Sequence, residues 1–162
     1  MQTILSTAIA VATLAMSAAV PAFADAGHHG HHGSAAKFAA GEPGDPKRPA
    51  RIVNVAMTES DGKMLFVPSK LEVRRGEQVK FVLRNSGELE HEFVLATTDE
   101  NLAHAEAMKA GAMKHDDPNA KMLDPKKAGD IVWKFTKAGE FEYACLIPGH
   151  REAGMTGTIV VK

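Results

Sequence analysis

A short loop near the C-terminus carries three side chains that could bind a soft metal ion. Cys145, the only cysteine of the chain, is followed by His150 and then by Met155 at equal spacing. One Cys, two His and a weak axial Met form the ligand set of mononuclear copper electron-transfer sites. The loop lacks the second histidine. His91, which stands just before the apolar run 93–95, is the candidate to complete the set.

Each of these residues also has a purely structural explanation. A single cysteine is often a buried small hydrophobe, a methionine often fills a core, and a histidine at a strand end is often a hydrogen-bonded surface group. Their joint spacing, on a Gly/Pro-rich loop between two strand-like segments, favours copper. In this arrangement residues 51–162 resemble the cupredoxins, the blue-copper family. The resemblance implies copper ligation by His91, Cys145, His150 and axial Met155, the last three of them on a loop between the last two strands of a β-sandwich.

The residues that precede the loop have the period-2 alternation of half-buried strands. Apolar residues alternate with polar or smaller ones in three segments: Val79, Phe81 and Leu83; Ile131, Trp133 and Phe135; and Phe141, Tyr143 and Cys145. The last segment predicts that Cys145 faces the core with the aromatic rings. Together with the resemblance, these patterns predict an all-β fold, a Greek-key β-sandwich with a partly helical insertion around 97–129.

Within the insertion, residues 101–114 are rich in alanine, methionine, leucine and lysine, which favours a helix. It also contains possible copper ligands. Either the methionines pack a helix onto the sandwich and the histidines are solvated, which is the preferred interpretation, or the side chains form a second copper-collecting surface. The candidate auxiliary ligands here are His104, Met108, Met113, His115 and Met122.

The first 24 residues are typical of a secretory signal peptide. An apolar run over 4–20 precedes the small-x-small sequence Ala22-Phe23-Ala24, although no Lys or Arg precedes the run. A membrane anchor is the alternative, but the run is rich in Ala, Ser and Thr and so only weakly hydrophobic. We therefore expect a periplasmic protein with no membrane insertion after cleavage.

A histidine-rich tract follows the predicted cleavage site. His28, His29, His31 and His32 lie in a segment without apolar periodicity, which predicts a flexible, metal-binding tail and linker over 25–50. An expression tag is the alternative explanation, but Gly30 interrupts the tract and a signal-like segment precedes it. Residues 51–162 would form a single domain.

Charge and cysteine content narrow the possible functions. The formal net charge is −1, so the composition does not predict a nucleic-acid partner. In an oxidising compartment a single cysteine cannot form an intramolecular disulfide. Copper ligation accounts for the unpaired cysteine.

The His tract and the insertion make the chain similar to exported cupredoxins implicated in copper resistance. That resemblance implies copper capture, with oxidation of Cu(I) as the one enzymatic activity to consider. A diffusible electron-transfer protein that serves a redox partner is the main alternative, and a copper chaperone is another. We expect a monomer. One departure from the family is Glu92, which stands where many cupredoxins have Asn after the first histidine ligand.

Overall fold

The structure of the protein is a computed structural model that describes residues 38–111 and 117–162. The secondary-structure elements of these residues follow one another as β1 (Glu42–Pro43), β2 (Arg51–Ser60), β3 (Lys63–Val67), β4 (Lys70–Val73), β5 (Gln78–Asn85), β6 (His91–Ala96), α1 (Thr98–Lys109), β7 (Ala120–Leu123), β8 (Ala128–Lys134), β9 (Gly139–Ala144) and β10 (Thr156–Val161).

The strands form two five-stranded sheets. The first has the order β1-β8-β5-β2-β3 and the second β4-β10-β9-β6-β7. β2 pairs with β5, and β4 with β10, in parallel. The remaining pairs are antiparallel, so both sheets are mixed. The predicted all-β sandwich is confirmed.

Aromatic rings from both sheets meet in the core. Phe66 of the first sheet lies 5.2 Å from Tyr143 and 5.9 Å from Phe93 of the second, measured between ring centroids. Phe81 of the first sheet lies 5.3 Å from Phe93. These rings are almost fully buried, and Cys145 belongs to the same core cluster. The alternation in β9 therefore predicted the direction of the cysteine correctly.

The insertion contains one helix and one short strand. Thr97 and Glu100 close a capping box at the start of α1, which satisfies backbone N–H groups that a helix start otherwise leaves without partners. The helix covers the outer face of the second sheet, where Ala105 and Met108 pack with a small apolar cluster. The composition predicted the helix, but no sequence pattern predicted β7, which pairs with β6. No helix in the described part of the chain is long and apolar enough to span a bilayer.

Residues 38–43 pack against the sandwich, upstream of the start expected at residue 51. Phe38 makes an edge-to-face contact with Trp133 at 5.2 Å. The Trp133 indole N–H donates to the carbonyl of Ala40 at 3.3 Å, and β1 pairs with β8. A buried indole needs both an acceptor and cover from solvent, and this segment provides both. The expected signal peptide and the His tract lie outside the described residues.

Candidate metal centre

Three of the predicted ligands come together at one end of the second sheet. His91 opens β6 and Cys145 directly follows β9. These strands are antiparallel neighbours with Val94 opposite Ala144, so the start of one lies beside the end of the other. One ligand atom from each of His91, Cys145 and His150 lies within 4.8 Å of the others.

The three donor atoms face one another inside the protein. Nδ1 of His150 lies 3.2 Å from Nδ1 of His91 and 3.4 Å from Sγ of Cys145. His91 and Cys145 are fully buried, and His150 is 9% exposed. Two imidazole nitrogens and a sulfur that converge in a buried space are suited to a metal of intermediate softness. The residues present therefore fit a copper ion.

The loop after β9 returns to its starting point through its own backbone hydrogen bonds. Cys145 donates its N–H to the Met155 carbonyl at 3.1 Å, and Met155 donates its N–H to the His150 carbonyl at 3.1 Å. Gly149 has φ of +90°, a conformation that other residues rarely adopt. This turn, directly before His150, directs the chain so that the imidazole comes back over Cys145.

Met155 is the fourth predicted ligand. It stands directly before β10, its side chain is fully buried, and it belongs to the same core cluster as Cys145. Its backbone is joined to Cys145 by the hydrogen bond described above. A thioether in this position is consistent with a weak axial ligand, and its assignment stays a prediction.

The helical insertion helps to hold the ligand loop. Arg151, directly after His150, donates to the carboxylate of Glu142 on β9 at 2.9 Å. Asn101 of α1 donates to the same carboxylate at 3.1 Å. The helix, the strand and the loop therefore share one partly buried polar network beside His150.

The environment of the centre keeps two of the donors uncharged in the metal-free protein. Burial raises the pKa of the Cys145 thiol to about 12, although the N–H groups of Glu92 and Ile147 act in the opposite direction. Burial also lowers the pKa of His150 below its usual value of 6.5, and the neighbouring His91 lowers it further. At neutral pH the metal-free site therefore contains a protonated thiol and a neutral His150 imidazole.

Copper loading should consequently release a proton from Cys145. A thiol must be deprotonated to bind a metal, so we expect roughly one proton per copper bound at this centre at pH 8. Calorimetry in buffers of different ionisation enthalpy measures this release. Cys145→Ser is the control and should release none, because a serine hydroxyl stays protonated. Absence of proton release from the wild-type protein would mean that the thiol is already ionised.

Glu59, which no sequence pattern indicated, contacts the centre from the other sheet. Its Oε1 lies 2.7 Å from Nε2 of His91. Burial raises the pKa of Glu59, but hydrogen bonds from the N–H groups of Glu88 and Leu89 and from His91 lower it more, so that it lies below the usual range. No local pattern indicated this contact, because Glu59 and His91 lie far apart in the chain.

Two neighbouring polar residues have structural roles that the sequence did not reveal. Asn85 is fully buried and its amide donates to the carbonyls of Leu89 and Leu123, at 2.7 and 2.9 Å. Glu92 is only 2% exposed, and its backbone N–H donates to Sγ of Cys145 at 3.3 Å. Asn85 thus links the segment before His91 to β7, and Glu92 contacts the ligand sulfur through its backbone.

The assignment of the auxiliary copper ligands stays a prediction. In residues 38–111 and 117–162, the group of His, Cys, Asp and Glu side chains that could hold a metal does not include His104. Met108 packs against the apolar cluster beneath α1, and Met122 lies half-buried on β7. The others lie outside the described residues: His28, His29, His31, His32, Met113 and His115.

Comparison with known proteins places this geometry in context. A family model described as copper-binding proteins of the plastocyanin/azurin family matches residues 53–162. A protein of Rubrivivax gelatinosus named copper-resistant cuproprotein CopI is 53% identical over 113 residues, which cover 69% of this chain and 67% of the relative. A protein of Pseudomonas aeruginosa with the same name is 37% identical over 131 residues, which cover 62% of this chain and 72% of the relative.

Solved structures show a similar fold. Auracyanin B superposes with a TM-score of 0.61 at 26% sequence identity, over 76% of this chain and 96% of auracyanin B.

Proposed function

The chain belongs to the plastocyanin/azurin family of copper-binding proteins, the cupredoxins, and from this premise we propose that it confers copper tolerance by capturing the metal. The observation that carries the proposal is the buried group of His91, Cys145 and His150. The names of the relatives support it. We assign these residues as ligands of one copper ion, with Met155 as the weak axial ligand.

Each residue of the centre would supply a different donor atom to the copper ion. Cys145 supplies a thiolate that water cannot reach, and His91 and His150 supply neutral nitrogens. These donors already face one another without the metal, so little rearrangement is needed on binding. Copper bound by such a ligand set cycles between Cu(II) and Cu(I).

We infer that solvent and partners reach the centre at His150. It is the most exposed of the three clustered donors, at 9%, whereas His91 and Cys145 are fully buried. Incoming copper, or a protein that accepts an electron, would approach this imidazole. If the centre oxidises Cu(I) to the less toxic Cu(II), a redox partner must take up the electron.

The proposed site of action is the periplasm. The signal-like segment at 1–24 would direct export, and the histidines at 28–32 would collect copper ahead of the centre. Imidazoles bind copper in either oxidation state. The tail would thus raise the copper capacity of the protein beyond the single core site.

Copper titration tests the capture function. We expect protein that begins at residue 25 to bind more copper per chain than a variant in which His28, His29, His31 and His32 are replaced by Gln. The intense visible band of the core site should be the same in both proteins, because the tail contributes no thiolate. Inductively coupled plasma analysis after dialysis gives the copper content.

Gene deletion tests the physiological role. We expect the deletion strain to grow less well on copper, and expression of the wild-type chain, but not of Cys145→Ser, to restore growth. If the protein binds one copper and deletion leaves tolerance unchanged, copper tolerance is refuted. Impaired respiration under those conditions would favour an electron shuttle, the main alternative named in the sequence analysis. Loss of copper from an oxidase would favour a chaperone.

A further inference from the structure

We propose that Glu59 is a positioning residue of the copper centre: its carboxylate holds the His91 imidazole with Nδ1 toward the metal and raises the preference of the site for Cu(II) over Cu(I). This inference rests on the proposed ligation of copper by His91. It assigns a role to a residue of the first sheet, whereas the predicted ligands come from the second sheet and its loop.

The contact between the two residues is short and partly shielded. Oε1 of Glu59 lies 2.7 Å from Nε2 of His91, whose side chain is fully buried, while that of Glu59 is 25% exposed. The opposite nitrogen, Nδ1, is the one that faces His150. Since a carboxylate accepts and does not donate, the proton belongs on Nε2, and Nδ1 is left with a free lone pair. The proton between the two facing Nδ1 atoms then belongs to His150 in the metal-free protein.

The carboxylate is itself held in place before any metal binds. The N–H of Glu88 donates to Oε2 at 3.0 Å, and that of Leu89 donates to Oε1 at 3.1 Å. Gly87 leaves the space that the carboxylate occupies, because a Cβ at this position would overlap both carboxylate oxygens. The segment that leads into His91 is therefore built around Glu59.

This arrangement should affect the metal through the imidazole. A carboxylate that accepts from a metal-bound histidine fixes the ring orientation and makes the other nitrogen a stronger donor. A stronger donor stabilises Cu(II) more than Cu(I), because Cu(II) carries the larger charge and is the harder ion. Loss of the carboxylate should therefore weaken Cu(II) binding more than Cu(I) binding.

Glu59→Gln tests the proposal with little change in shape. The amide oxygen can still accept from His91 and Leu89, but the negative charge is lost. We expect Cu(II) affinity to fall roughly 10- to 100-fold, with a smaller loss for Cu(I). Each tenfold difference between the two losses raises the midpoint potential by about 59 mV for a one-electron couple. Competition titration and redox titration of the copper-loaded protein measure the two quantities.

Glu88→Gln is the matched control. It removes the same charge close to the centre, but the Glu88 side chain is 82% exposed and pairs with Lys126 rather than His91. Its backbone N–H to Glu59 remains. We expect a much smaller shift in potential than for Glu59→Gln. Equal shifts in the two variants would overturn the proposal, since they would show that a negative charge near the centre acts in the same way whether or not it lies on the group that accepts from His91.

Nitrogen NMR of the copper-free wild-type protein gives a test that needs no variant. We expect His91 to be protonated on Nε2, with a slowly exchanging proton, and unprotonated on Nδ1. A His91 protonated on Nδ1 instead would overturn the proposal even if Glu59→Gln failed to fold. His91→Ala separates this inference from the proposed function. If His91→Ala keeps the wild-type visible band, the ligation itself is refuted; if it loses the band and Glu59→Gln leaves the potential unchanged, only the role of Glu59 is refuted.

Discussion

Replacement of Cys145 by serine should abolish the intense visible absorption of the copper-loaded protein. The band of a mononuclear centre of this kind comes from charge transfer between the cysteine sulfur and copper, and a serine hydroxyl is neither soft nor deprotonated at neutral pH. Cys145 is also fully buried and is the only cysteine of the chain, so no other thiol of the protein can replace it. The visible spectrum after loading with Cu(II) is the measurement.

Met155→Leu is the control for the loss of the band. Leucine fills a similar volume in the core but has no sulfur. We expect this variant to keep its copper and its charge-transfer band, while its midpoint potential shifts. Retention of the full band by Cys145→Ser would contradict the ligand assignment.

Phe93→Ala should cost about 3–5 kcal/mol of unfolding free energy, the usual range for removal of a buried phenylalanine. The Phe93 ring is fully buried and contacts rings of both sheets. Its centroid lies 5.2 Å from that of Tyr143 in a stacked arrangement and 5.3 Å from that of Phe81. Its removal leaves a cavity at the junction of the sheets, two residues from His91. Urea denaturation of the copper-free protein measures the loss.

Leu102→Ala is the matched control for the core. This side chain is on α1 and is 45% exposed, so its truncation should change the unfolding free energy by no more than about 0.5 kcal/mol. A loss of about 0.5 kcal/mol or less for Phe93→Ala would contradict the central role of the ring cluster, because that is the size of change expected at exposed positions.

The ring cluster connects stability to the metal centre. Tyr143 of β9 lies two residues before Cys145, and Phe93 of β6 lies two residues after His91. The rings stack on each other at 5.2 Å. His91 and Cys145 therefore lie at the ends of neighbouring strands whose inner faces pack together through these aromatic rings. Close packing of these rings limits how far the two donors can move apart.

Local residue types and spacing were enough to predict the ligand loop and the direction of its cysteine. Cys145, His150 and Met155 are close in the chain, so their residue types and spacing were enough to indicate the chemistry. The period-2 alternation through Phe141 and Tyr143 predicted that Cys145 faces the core, since successive side chains of a strand point to opposite faces. The helix of the insertion was predictable from composition for the same local reason.

The distant residues that support the centre are brought to it by contacts between the two sheets. Glu59 contacts His91 from the other sheet. No pattern in the sequence distinguishes Glu59 from the other glutamates. β7 pairs with the edge strand β6. Residues 38–43 are held by pairing of β1 with β8 and by the hydrogen bond from the Trp133 indole. Both segments therefore depend on contacts with distant strands. A short ligand loop is encoded by neighbours in the chain, whereas the groups that orient its histidine partner are brought together by sheet packing, which local spacing does not record.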